Sequence, residues 1–143
     1  MNVRAFDPAD YELLAPSLED DRAQYKPGAG AGLREAGPAV TLLNDAGDPI
    51  AAVGIILLNP GCGAAWGYIG LEARSRPLPL VRKLRRLLAL TMKRYNLQQV
   101  ESLILPSFAA GPRWMKALGF KAIGTMNHPT LQKEFHRYVF HAA

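Results

Sequence analysis

Arg113-Trp114-Met115-Lys116-Ala117-Leu118-Gly119-Phe120, leading into Lys121 to Met126, reads as a short amphipathic helix that turns into a strand. Gly119 lacks a Cβ, so it can take the left-handed backbone that closes a helix. Trp114, Leu118 and Phe120 are then expected to bury against a sheet. The helix starts at Gly111, and Phe135 to Phe140 supplies a second closing strand beside Lys121 to Met126.

Upstream of this block, Val100 to Leu105 is a strand. Before it, Leu80, Leu84, Leu87, Leu88, Thr91, Met92 and Tyr95 recur at helical spacing, with Arg82, Lys83, Arg85, Arg86, Lys93 and Arg94 on the opposite face. That pattern predicts a long helix from Leu80 to Tyr95 that exposes Arg82, Arg86 and Lys93. Ala64 to Gly70 is a strand thinned by glycine. Ile50 to Leu58 is apolar on both faces and is expected to be central, joined to Val40 to Leu43 through the turn residues Asn44 to Pro49. Lys26 to Pro38, with four glycines and two prolines, is expected to be a loop. Val3 to Phe6 is a strand, and Asp7-Pro8 caps a helix that runs to about Leu14. The predicted class is α/β with a mixed sheet, in the order β-α-β-β-β-α-β-α-β-β over a single domain, residues 1–143.

Composition agrees with a globular domain: 49% of the residues are hydrophobic and 20% charged. A lone cysteine, Cys62, excludes an internal disulfide and fits a reducing, cytoplasmic setting. Met1 to Tyr11 has no apolar run of a secretory signal, and Ile50 to Leu58 is far shorter than the roughly 20 residues of a membrane span. The net charge of +5 is read as a solvated basic face rather than a nucleic-acid surface. His128, His136 and His141 lack the companion spacing of a metal site, and Cys62 lacks a histidine partner for nucleophilic chemistry. Glu19-Asp20-Asp21 is an acidic cluster read as a solvated surface patch, with attraction of a cationic amine as the alternative.

The element order, together with Leu118-Gly119-Phe120 leading into the next strand, resembles the GNAT acetyltransferase fold. A narrower resemblance covers Trp66 to Phe120: a tryptophan-bearing strand, a loop without glycines, a basic helix, then Arg113-Trp114-Met115-Lys116 and Leu118-Gly119-Phe120. It is similar to a phage-encoded branch that includes internal virion proteins of short-tailed phages. That branch implies a role in particle assembly or infection, phage or host protein partners, and a place in the host cytoplasm or the virion. The wider family implies acetyl-CoA as cofactor and an amine as substrate.

In that family, a glycine-rich loop before the long helix offers backbone N–H groups to the cofactor pyrophosphate. Here the stretch is Arg74-Ser75-Arg76-Pro77-Leu78-Pro79, and proline has no N–H to give. Side chains are left to hold phosphate, so the cofactor-binding candidates are Arg74, Ser75, Arg76, Arg82 and Lys83. The family's tyrosine acid falls at Met115 and its upstream asparagine near Phe108; neither residue carries the polar group. The catalytic candidates that remain are Glu72, just after the fourth strand, and Tyr68 within it. The sequence therefore favours a catalytically weak or silent binding module over an acetyl-CoA-dependent N-acetyltransferase.

Overall fold

The structure is a computed structural model that describes residues 1–128 and 132–142. At its start, Arg4 and Asp10 lock the first strand, β1 (Asn2–Ala5), to the first helix, α1 (Pro8–Leu14). Asp7 caps that helix: its side chain accepts from the Ala9 N–H at 2.9 Å, while Asp10 reaches back to the Asp7 N–H at 3.0 Å. Asp7 as the cap and Pro8 in the first turn are as the sequence predicted, and the answering bond from Asp10 completes a capping box.

A short helix α2 (Glu19–Arg22) follows, and then α3 (Ala29–Ala36) stands where a loop was expected over Lys26 to Pro38. Tertiary packing overrides the helix-breaking tendency of glycine here. Gly30 lies so close to α1 that a Cβ on it would sit 2.8 Å from the Pro8 carbonyl oxygen, and Leu33 packs on the cluster of Phe6, Tyr11 and Leu14. The glycines mark this helix's close approach and its left-handed start at Gly28, not its absence.

The remaining strands are β2 (Ala39–Leu43), β3 (Pro49–Leu57), β4 (Cys62–Ile69), β5 (Gln99–Ile104), β6 (Lys121–Asn127) and β7 (Glu134–His141). They form one sheet in the order β1-β2-β3-β4-β5-β7-β6, antiparallel except for β4 beside β5. The helices α4 (Leu71–Arg74), α5 (Pro77–Arg94) and α6 (Gly111–Leu118) make the crossovers.

The long helix starts at Pro77, three residues before the expected Leu80. Prolines are tolerated there because first-turn N–H groups have no partner within the helix. Leu80 and Met92 are buried, whereas Leu84, Leu87 and Leu88 are only half-buried; Arg82, Arg86 and Lys93 are exposed as expected. At the end of α6, Gly119 has φ +95°; its N–H bonds the Lys116 carbonyl at 3.0 Å, and the Phe120 N–H bonds the Met115 carbonyl at 2.9 Å. This is the glycine stop read from the sequence. Leu118 and Phe120 are buried, while Trp114 is half-buried against the Leu80 cluster.

Both sheet faces carry a core. α5 and α6 cover Ile55, Val100 and Tyr138, with Met92, Met115 and Leu118 between them; α1 and α3 cover Ala52 and Trp66 on the other face.

Candidate active site

β4 and β5 run side by side only from Cys62↔Gln99 to Ala65↔Ser102. Beyond that point β4 pairs with β3 alone as far as Ile69, and β5 pairs with β7 alone as far as Ile104, so the sheet forks in its middle. Backbone direction alternates along a strand. The bonds Gly70 N–H to Ile50 O (2.8 Å) and Leu58 N–H to Cys62 O (3.1 Å) show that even-numbered residues of β4 face β3. Gly67 and Ile69 therefore present their backbone groups to the fork. The bond from Ala142 N–H to Gln98 O (2.9 Å) likewise turns even-numbered residues of β5 to β7, which leaves the Leu103 carbonyl facing the gap. At the vertex, Ser102 donates its hydroxyl to the Ala65 carbonyl at 3.3 Å. At the open end, Arg74 Nε donates to the Ile69 carbonyl at 2.7 Å, with its guanidinium 4.7 Å over the Phe108 ring.

A cleft of about 510 Å³ passes through this fork. On the α5–α6 side its walls are apolar: Leu84, Leu87, Leu88, Met115 and Leu118. These contacts explain why the α5 leucines are only half-buried. On the other side lie Trp66, Tyr68, Asp21, Gln24 and Glu101. The aromatic wall is interlocked, with Trp66 5.3 Å from Phe6 and 5.8 Å from Tyr68, and Tyr68 5.2 Å from Tyr11. Burial first, then the charges of Tyr11 and Asp21, pushes the Tyr68 phenol above its ordinary range, so it keeps its proton at neutral pH. Glu101 is ion-paired with Arg137.

The structure brings Tyr68 and Arg74 together at the cleft. It places Glu72 on the exposed face of α4, where it accepts from Asn44 Nδ2 at 3.2 Å, outside the cleft lining. Ser75 turns its hydroxyl to the Glu72 carbonyl at 2.6 Å, Arg76 precedes α5 as its exposed N-cap, and Arg82 and Lys83 lie along α5 away from the lining. Pro77 and Pro79 have no N–H, and the Leu80 N–H is spent on the Arg76 carbonyl at 3.2 Å. Leu78 alone offers an N–H in the first turn of α5.

Met115 is buried and contributes only its thioether to the wall. Of the acidic cluster, Asp21 lines the cleft and Glu19 is exposed; the Asp20 side chain lies outside the described residues. Sequence reasoning passed over Gln24, Trp66, Glu101 and Ser102 as site residues. The one signal for Glu101 and Ser102 was a pair of polar residues inside the strand Val100 to Leu105, whose other residues are apolar; nothing local marked Gln24 or Trp66. Among the described residues no cluster of histidine, cysteine or carboxylate side chains could hold a metal, and no helix is long and apolar enough to cross a membrane.

No protein-family model matches the sequence. No curated protein sequence matches it either. Solved structures do match its shape. A point mutant of the spermidine N-acetyltransferase from Vibrio cholerae superposes with a TM-score of 0.73 at 14% identity, over 99% of this chain and 95% of that one. An acetyltransferase of the GNAT family from Staphylococcus aureus gives 0.75 at 13% identity over 98% of both chains. A ribosomal-protein-S5-alanine acetyltransferase from Vibrio fischeri gives 0.71 at 12% identity, over 97% of this chain and 91% of that one. At such identities the likeness is one of fold, and the fold is that of the GNAT acetyltransferases.

Proposed function

We propose that this chain is an acyl-CoA-dependent N-acyltransferase acting on a primary amine, with the donor approaching from the α5–α6 side of the sheet and the amine from the aromatic side. The observation that carries this reading is the fork itself. A cleft that pierces a sheet lets two ligands meet from opposite faces, and its rims here are backbone groups with no neighbouring strand.

Acyl-CoA supplies an activated thioester on an arm that contains amides. The Gly67 and Leu103 backbone groups are placed to pair with such an arm as a further strand would, and the apolar walls from Leu84 to Leu118 exclude water around it. An N–H of Gly67 or Ile69 can donate to the thioester oxygen as it gains charge. On the aromatic side Asp21 attracts the amine as its ammonium ion, and desolvation against the apolar walls further in favours release of its proton to give the neutral, nucleophilic form. A thiol ionises near pH 8.5, so the sulfur can leave as a thiolate without an acid; Tyr68, protonated on the cleft wall, is the group we assign to hydrogen-bond that sulfur, and the thiolate takes up the proton that the attacking amine loses. Phosphate contacts fall to side chains: Arg74 at the rim, with Ser75, Arg76, Arg82 and Lys83 around the start of α5 and only Leu78 N–H from its backbone.

A second reading is a silent module that acts by binding phage or host proteins, in the virion or the host cytoplasm. Met115 buried at the acid's position, Phe108 and the two prolines favour it. The test is the release of CoA thiol from acetyl-CoA over a panel of primary amines, alongside melting temperature with and without acetyl-CoA. The enzyme reading expects a raised melting temperature and turnover that falls about 100-fold or more in Tyr68→Phe. Turnover lost instead in Glu72→Gln would move the ionisable role to Glu72. No thermal shift and no turnover would leave the silent module.

A further inference from the structure

The most exposed large apolar side chains among the described residues are Leu71, which opens α4, and Leu78, in the first turn of α5, at 72% and 71%. A single exposed leucine is ordinary. Leu78, however, also lines a groove of about 470 Å³ between the start of α5 and α6, with Pro77, Val81, Arg113 and Trp114. Arg74 belongs both to this groove and to the cleft of the fork, so the groove opens beside the mouth by which the donor enters.

The helices that frame the groove are basic. From Ala73 to Val100 every charged side chain is an arginine or a lysine, and α6 carries Arg113 and Lys116 with no carboxylate. Helical spacing puts Leu78, Arg82, Arg85, Arg86 and Lys93 on one face of α5, and each is exposed. Glu72, on α4, is the carboxylate nearest in the chain, and it accepts from Asn44 Nδ2. A face that serves solubility alone gains nothing from bare leucines, and a nucleic acid has little to set against them. A protein surface that is acidic around an apolar centre matches both features.

The start of α5 says what such a partner brings. Pro77 and Pro79 have no N–H, and the Leu80 N–H is spent on the Arg76 carbonyl, which leaves the Leu78 N–H as the one backbone donor of the first turn. Acyl-CoA brings a diphosphate and a further ribose phosphate to this place; the same amide arm attached to a carrier protein brings a single phosphodiester. A protein seated on α5 and α6 also covers the donor mouth, so it either carries the donor or shuts it out. We infer that this face docks a small acidic protein that presents the acyl group as a thioester on a phosphopantetheine arm, with Leu78 as the apolar anchor and Arg82, Arg85 and Arg86 as the charged rim. The arm passes Arg74 into the fork; the acyl C–S bond breaks, the C–N bond to the amine forms, and the carrier's thiolate takes up the proton that the amine loses. Acetyl-CoA, which has the same arm, remains a weaker donor. The inference rests on the acyl-transfer reading of the cleft and changes only what carries the arm.

The test is calorimetric binding, which needs no turnover, with acyl carrier protein bearing its arm, the same protein without the arm, CoA and a short DNA duplex as probes. The armed carrier is expected to bind at least about tenfold more tightly than CoA or the armless form, and to weaken as salt rises. In the double variant Arg85→Glu, Arg86→Glu, carrier binding should fall about tenfold, with CoA binding and melting temperature unchanged, because neither side chain is among the phosphate contacts. Leu78→Ser keeps the backbone N–H and should weaken the carrier through the lost anchor. Equal affinity for CoA and the armed carrier, or a carrier affinity indifferent to the charge reversal, would overturn the inference and leave the acyl-CoA reading to the CoA-release assay. A duplex bound more tightly than the carrier would overturn it in favour of a nucleic-acid surface. Carrier binding as expected, without acyl transfer to any amine from acetyl-carrier or acetyl-CoA, would uphold the docking face and sink the acyl-transfer reading.

Discussion

Ser102 donates its hydroxyl to the Ala65 carbonyl at 3.3 Å, at the last position where β4 and β5 are paired before they part. The side chain thus pins the vertex of the fork from within a buried position. Ser102→Ala removes that bond without adding volume, and the expected cost is about 1 kcal/mol. A urea midpoint equal to the wild type would show that the backbone ladder alone closes the vertex.

Gly54 and Trp66 face each other across β3 and β4, and a Cβ on Gly54 would meet the indole at 2.6 Å and the Ala39 Cβ at 2.9 Å. Gly54→Ala should therefore push the indole toward the cleft and cost roughly 1–3 kcal/mol as overpacking. Tryptophan fluorescence should change along with the denaturation midpoint. A silent substitution would mean that the indole has room to withdraw.

Gly119 combines φ +95° with a close approach, since a Cβ would lie 2.9 Å from Phe140 Cε2. A β-branched residue meets both penalties, so Gly119→Val is expected to cost at least about 2 kcal/mol. Thermal unfolding measures this directly, and an unchanged melting temperature contradicts the left-handed stop.

Asp10 is buried, which alone would raise its carboxyl pKa; hydrogen bonds from Arg4 at 2.7 and 2.8 Å, Thr41 at 2.6 Å and the Asp7 N–H at 3.0 Å outweigh this and hold it below the ordinary range. A depressed carboxylate stabilises the fold above its unfolded pKa of about 3.9, and that contribution is lost as pH falls through the lower folded value. Stability of the wild type should drop below about pH 4, and the Asp10→Asn variant should show a flatter acid limb. Asp10→Ala should cost about 3 kcal/mol at neutral pH, the low end for a broken buried pair, because the Arg4 side chain remains 39% exposed.

Leu84 touches both the Met92 and the Leu80 clusters yet remains half-buried, because one side of it forms the cleft wall. Leu84→Ala is expected to cost about 2 kcal/mol, the bottom of the range for such truncations, whereas Arg86→Ala should stay within about 0.5 kcal/mol. The opposite order in urea denaturation would show that the register of α5 is wrong.

Local chemistry determined what the sequence made legible. The Asp7 cap, the period of α5 and the stop at Gly119 each depend on neighbours within a few residues, so they could be read from the chain. Short apolar runs bounded by turn residues placed the seven strands of the described residues for the same reason. What lay beyond the sequence depends on residues far apart in it. α3 forms because Gly30 and Leu33 meet α1 across the turn that ends at Gly28, and no local propensity contains that contact. The fork is the parting of β4 and β5, which α4 and α5 separate along the chain, and together with α4 it decides that Tyr68 and Arg74 share a cleft while Glu72 stays outside. Trp66 and Gln24 line that cleft only because the fold brings the turn after α2 to the β4 side of the sheet, and proximity of that kind is a property of the whole packed chain and not of any one segment.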